Sequence, residues 1–228
     1  MRCTDQERLG TTLGELISLA QRRAAHAAAA APAPRARVTF YFDLVSPWTY
    51  LAAERVDRSF AAVRWQPVVG DVLGLADPGV EAERSAAERR AAQLRLPLVW
   101  PEAWPASGRS ALRVASLAAE RGRAAPYVLA ASRLAFCGGY DLDDPEILAE
   151  AAAVAGLEPE LCLQAAGDLS HDGPPERAAL RLLRRGADAL PAITVDRTLY
   201  SGEHRLAEAI AAASGRRTGS APPLRDHG

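Results

Sequence analysis

Apolar positions begin the chain's folded region at period two and pass at once to the helical period. Residues 38–42, Val-Thr-Phe-Tyr-Phe, are a run of β-branched and aromatic side chains that suits a pleated, buried surface and predicts a strand. Ser46-Pro47 then marks a helix start, because Ser is a preferred N-cap and Pro at the first helical position loses no hydrogen bond. Tyr50, Leu51, Glu54 and Arg55 continue with helix formers to about Phe60. The next apolar run, Val63 to Val69, alternates well enough for a second strand, which Pro67 confines to a sheet edge or a strand end. Together these segments predict a β-α-β unit whose connection is long enough to return to a parallel partner.

From residue 80 to 186 the pattern is Ala-, Leu-, Arg- and Glu-rich with helical periodicity and no convincing strand, which predicts an inserted all-helical domain. In 144–156 Asp144 can cap, Pro145 takes the first position, Ile147, Leu148, Ala151 and Val154 share a face, and Gly156 ends the helix. Further helices are expected at about 109–121, 125–136 and 175–185. The sheet resumes over Ala189 to Val195, turns at Asp196-Arg197 and returns through Thr198-Leu199-Tyr200 as a hairpin. Gly202 marks a turn, and a closing helix through Leu206 and Ile210 runs to about Ala213. The order β-α-β, helices, β-β-α predicts an α/β chain of thioredoxin-like architecture, with residues 37–79 and 187–213 as the thioredoxin-like domain and 80–186 as the insertion. In such folds a cis-proline opens the third strand opposite the first helix N-terminus, and Leu190-Pro191 stands at that place, so a cis bond is expected there. Residues 1–36 are expected to form a flexible tail with a possible helix through Leu9, Leu13, Leu16, Ile17 and Leu19; residues 214–228, rich in Gly, Ser, Pro and Arg, are expected to be disordered.

Charge narrows the function. The formal net charge is −1, from 27 basic and 28 acidic residues, which removes the electrostatic case for nucleic acid or an anionic membrane and leaves a small molecule as the expected ligand. Every basic side chain of this group is Arg; the absence of Lys excludes Schiff-base chemistry and a Lys-dependent phosphate loop. Cys3, Cys137 and Cys162 are far apart and form no C-x-x-C, so neither a redox dithiol nor a zinc site can be read from them. No metal is expected. The chain has no run of about 18 apolar residues and no secretory leader pattern, so a cytoplasmic, reducing setting is expected.

The strand-to-helix junction at Ser46-Pro47 presents free N–H groups and the positive end of a helix dipole, where an anion can bind. Read alone, Ser46 is equally a helix cap. Three segments, FYFDLVSPWTYLA at 40–52, RLPLVWPEAWPASGRSALR at 95–113 and LPAITVDRTLYSGEHRL at 190–206, resemble the 2-hydroxychromene-2-carboxylate isomerases and kappa-class glutathione transferases of the DsbA-like thioredoxin group. In the first segment of that family Ser replaces the first Cys of the redox motif, and here Ser46 and Thr49 occupy the places of both redox cysteines.

The resemblance implies glutathione, or another low-molecular-weight thiol, bound with its sulfur near Ser46, which would donate to the thiolate. The backbone at Leu190, before Pro191, would pair with the extended peptide part of the ligand. Trp48, Trp100 and Trp104 are candidates to line an apolar pocket for an aromatic or electrophilic small molecule, with ordinary core packing as the alternative. Ser107 stands where the family often has Asn, which this chain lacks altogether. Glu203-His204 stand where it commonly has Ser or Gln followed by Asp; Glu203 is expected to pair with the γ-glutamyl ammonium, and a protonated His204 or a helix N-terminus with its carboxylate. His204 reads equally as a surface residue. The expected activity is a glutathione-dependent isomerase, with a kappa-like transferase or a non-catalytic thioredoxin-like binding module as alternatives and a homodimer as a possible assembly.

Overall fold

In the computed structural model, which describes residues 36–74, 79–105 and 107–218, the run Val38–Phe42 forms β1 with Val38, Phe40 and Phe42 buried and the residues between them half-buried. This is the alternation a pleated strand imposes. β2 (Arg64–Pro67) pairs with β1 in parallel, β3 (Ala192–Val195) pairs with β1 antiparallel, and β4 (Thr198–Ser201) pairs antiparallel with β3, giving the sheet order β2-β1-β3-β4. Phe40 lies opposite both Trp65 and Ile193. Pro67 ends an edge strand, where its missing N–H costs no ladder bond.

α1 (Pro47–Ser59) connects β1 to β2 and buries Tyr50, Leu51, Ala53 and Val56. Six helices follow before the sheet resumes: α2 (Val80–Leu94), α3 (Arg109–Glu120), α4 (Ala124–Phe136), α5 (Pro145–Val154), α6 (Pro159–Gly167) and α7 (Gly173–Arg184). The carboxylate of Asp144 accepts the Glu146 N–H at 2.8 Å and so caps α5, while Pro145 occupies its first turn. α8 (Leu206–Thr218) closes the described chain. Tyr50 on α1 stacks on Phe136 of α4 with centroids 6.0 Å apart, and one buried cluster runs from Phe40, Phe42 and Ile193 of the sheet to Leu112, Val114 and Tyr127 of α3 and α4. A smaller cluster packs Leu182 of α7 against Val68, Leu190 and Ala192. The N-terminus of α1 is therefore held from two sides, by its own sheet and by the helices between β2 and β3.

Three expectations are corrected. β3 begins at Ala192, not Ala189: the Ser201 hydroxyl takes the N–H groups of Asp188 and Ala189 at 3.1 and 2.9 Å and donates to the Ala189 carbonyl, and Pro191 has no N–H to offer a ladder. α8 continues through Ser214 to Thr218, past the expected end, and no proline interrupts the sequence until Pro222. Neither α2 nor α6 was expected as a separate helix within the helical insertion; Pro159 opens α6 in the manner of Pro145. The Leu190–Pro191 bond is cis as expected, and Trp104–Pro105 is cis as well. The expected tail helix in residues 1–35 and the end of the C-terminal tail, 219–228, lie outside the described residues. No helix among the described residues is long and apolar enough to cross a membrane.

Candidate functional site

The chain leaves β1 through Asp43-Leu44-Val45 and enters α1 at Ser46, whose backbone is extended (φ −86°, ψ 122°) as an N-cap requires. The backbone performs the expected cap: the Ser46 carbonyl accepts the Thr49 N–H at 3.1 Å. The hydroxyl does not, making no cap hydrogen bond. Ser46 is half-buried and lines a cavity of about 450 Å³ with Asp43, Val45, Trp48, Trp104 and Leu190.

Each wall is fixed by identifiable contacts. The Trp48 indole N–H donates to Glu83 of α2 at 3.2 Å, and the Trp104 indole N–H donates to the Val45 carbonyl at 2.9 Å. Trp104 lies against Trp100 with centroids 4.5 Å apart, and the Arg84 guanidinium stands 5.0 and 5.5 Å from the two ring centres. Trp48 and Trp104 thus face the cavity. Trp100 packs behind them on Phe136, with its N–H on Glu88, and is not among the lining residues. Ser107 is not there either: it is exposed and its hydroxyl donates to Asp143 at 3.0 Å. The segment around it serves the cavity through Trp104, three residues earlier.

Asp43 is the group the sequence reading missed. It is only 6 % exposed, its carboxylate accepts the Gly70 N–H at 2.7 Å and the Val45 N–H at 3.2 Å, and it lines the same cavity as Ser46. Burial pushes its pKa up to about 6; the two backbone hydrogen bonds oppose that rise, Asp71 adds to it, and Arg109 reduces it slightly. Its signal was present in the sequence, as an ionisable residue set between Phe42 and Leu44 at the end of an apolar strand.

A second cavity, of about 580 Å³, shares Trp48, Ala189 and Leu190 with the first and is otherwise lined by Ala86, Arg89, Arg90 and Gln93 of α2 and by Gly202, Glu203 and His204. Here the structure corrects the expectation for Glu203. Its side chain is 3 % exposed, and its oxygens already accept from Arg55 and, at 2.8 and 2.9 Å, from two nitrogens of Arg90. The bidentate pair holds Arg90 charged. A carboxylate that is 3 % exposed and already accepts three guanidinium N–H groups is a poor receiver for a ligand ammonium. His204 is exposed on the short helical turn Glu203–Arg205 and borders the cavity.

The chain matches the pattern of the DsbA-like thioredoxin domain family over residues 37–210. A curated relative, the 2-hydroxychromene-2-carboxylate isomerase of Sphingobium xenophagum, is 24% identical over 184 residues, which are 74% of this chain and 93% of the relative. A solved structure of 2-hydroxychromene-2-carboxylate isomerase superposes with a TM-score of 0.67 at 20% identity, covering 78% of this chain and 94% of that one. A protein from Streptomyces coelicolor named as a probable DsbA oxidoreductase superposes with a TM-score of 0.65 at 22% identity, covering 84% and 94%. The fold is that of the thioredoxin-like group, with helices inserted between the β-α-β and β-β-α parts.

Proposed function

The chain belongs to the DsbA-like thioredoxin domain family, and from that premise we propose that it is a thiol-dependent isomerase of small electrophilic molecules, of the 2-hydroxychromene-2-carboxylate isomerase type, with glutathione or a related thiol at Ser46. The observation that carries this reading is the Ser46 hydroxyl: it sits at the N-terminus of a 13-residue helix, lines a cavity, and is not spent on capping that helix. Ser46 and Thr49 stand where a dithiol would need cysteines, so disulfide exchange at this position is excluded.

Magnitudes support the role. A free thiol of pKa about 8.5 is ~3 % ionised at pH 7, and lowering it to about 6.5 gives ~75 % thiolate, a difference of roughly 2.7 kcal/mol. A helix N-terminus contributes about 0.3–2 kcal/mol and a charge-assisted hydrogen bond about 1.5–3 kcal/mol, so the two together suffice. Ser46 donates to the sulfur. Asp43, whose carboxyl is pushed up to about 6 by burial, lines the same cavity and is the acceptor this reading assigns to the proton that the thiol loses. Trp48 and Trp104 exclude water and offer flat apolar faces to an aromatic substrate. Leu190 borders both cavities, which supports the reading that its backbone pairs with an extended ligand.

The residues fit such a ligand at its sulfur, along its backbone and at an acidic end near Arg89 and Arg90; an ammonium group finds Glu203 closed. A bound thiolate supplies a nucleophile that adds reversibly to an unsaturated 2-oxo acid and permits rotation about the former double bond.

The test is ultraviolet thiolate absorbance of the protein mixed with glutathione, alongside the thermal shift. A thiolate signal lost in Ser46→Ala, with the melting temperature of the free protein unchanged, supports the role. Equal thiolate signals in both proteins refute it.

A further inference from the structure

The cavity beside Leu190 carries a charge pattern that selects its ligand. Arg55, Arg90 and Glu203 form one unit with an excess positive charge, in which the buried carboxylate is enclosed by three guanidinium contacts. The remaining arm of Arg90 donates to Gln93 at 3.1 Å, which fixes the guanidinium in the cavity wall. Arg89, exposed on the same helix, adds a second cation, and His204 borders the opening. The nearby carboxylates, Asp43, Asp71, Glu83 and Asp188, line the Ser46 cavity instead, beyond the shared wall of Trp48, Ala189 and Leu190.

We propose that this second cavity binds the acidic end of a thiol that carries a carboxylate and no amino group beside it, a desamino or N-acylated thiol acid in place of a γ-glutamyl thiol. The placement of the sulfur rests on the Ser46 reading above; the selection at the other end rests on Glu203 and its arginines alone. A carboxylate entering the cavity meets Arg89, whose guanidinium fork matches a carboxylate, and beside it the positive charge of Arg90, whose own fork is held by Glu203. An ammonium on the neighbouring carbon meets the same two cations, and the one carboxylate that could receive it is sealed. Like charges held together in a partly desolvated site disfavour binding, and the excess is greatest where neither charge can turn to bulk water.

The experiment is titration calorimetry of the intact protein with three thiols that differ only at this end. These are glutathione, its analogue with a glutaryl group (carboxylate, no amine), and its analogue with a 4-aminobutyryl group (amine, no carboxylate). Thiolate absorbance is recorded for each. The glutaryl analogue is expected to bind at least about fivefold tighter than glutathione, and the aminobutyryl analogue weakest of the three. Arg89→Ala, a change at an exposed position, is expected to weaken the glutaryl analogue by about fivefold or more and to strengthen the aminobutyryl analogue, which then meets one cation fewer. Glutathione binding as tightly as the glutaryl analogue, or tighter, overturns the inference while leaving the Ser46 reading intact. The expected order of affinities without thiolate absorbance upholds the selection and overturns the Ser46 reading. No binding of any of the three overturns both.

Discussion

Asp43 makes the stability of the fold depend on pH in an unusual direction. Its carboxyl has an ordinary value of 3.8 and is pushed up to about 6 by burial beneath the Ser46 cavity. A group whose folded-state pKa is raised contributes stability that is fully present below the unfolded value and is lost as pH rises through the folded one. From 3.8 to about 6 the difference is worth about 3 kcal/mol, of which about 1.4 kcal/mol falls between pH 5 and pH 7.5. That window is clean on the acid side, because Asp168 and Asp172 are held below the usual carboxylate range, by hydrogen bonds from Ser170 and from Arg113 respectively, and are already ionised there. In Asp43→Asn the Asp43 part of the slope must vanish. The amide keeps one acceptor for the two N–H groups of Gly70 and Val45, so the variant also starts lower, by about 1–3 kcal/mol, for the donor left unpaired. Urea denaturation of both proteins at half-unit pH steps measures this directly. The expected result is a wild-type stability that falls by about 1.4 kcal/mol more than the variant's between pH 5 and pH 7.5. Parallel curves would refute the argument that Asp43 is buried as a titrating acid.

Other perturbations test neighbouring parts of the structure. Glu203→Gln removes the charge that binds Arg55 and Arg90 and is expected to destabilise by about 1–3 kcal/mol in urea, since only one acceptor remains for three donors; an unchanged midpoint would mean that the arginines rehydrate without cost. Gly108→Ala places a Cβ 2.2 Å from Val45 Cγ1 at a backbone φ of +57° and is expected to cost about 2–4 kcal/mol, read as a lowered melting temperature. Thr49 is fully buried and its hydroxyl has no hydrogen-bond partner, so Thr49→Val is expected to raise the melting temperature by about 2–4 °C, equivalent to about 1 kcal/mol; a fall of that size would reveal a partner for the hydroxyl in solution.

The elements that could be read from sequence are those whose cause is local. Val38–Phe42 declares β1 by its composition, Ser46-Pro47 and Asp144-Pro145 declare helix starts by their chemistry, and Pro67 declares an edge. Boundaries set by distant groups were not legible. The start of β3 depends on the Ser201 hydroxyl, which reaches back to Asp188 and Ala189 across the hairpin. The same division holds at the site. Ser46, Trp48, Trp104 and Leu190 do share a cavity, and each belongs to a recognisable segment. Glu203 was misjudged because its partners, Arg55 and Arg90, lie 148 and 113 residues away and nothing distinguishes them among 27 basic residues. Asp43 is the opposite case, a local signal within a quoted segment that was read for its serine alone.

The central position of β1 has a consequence for synthesis. Its parallel neighbour β2 is complete at Pro67, whereas its antiparallel neighbour β3 begins only at Ala192, after all six intervening helices have been made. At about 5–20 residues per second the ribosome needs on the order of ten seconds to cover that distance. Throughout that interval one hydrogen-bonding edge of β1, the most aromatic strand among the described residues, is bare, with Phe40 and Phe42 on it, and open to pairing with any other extended chain nearby. The nascent protein is therefore most vulnerable to aggregation between the synthesis of β2 and that of β3, and chaperone demand should peak in that interval.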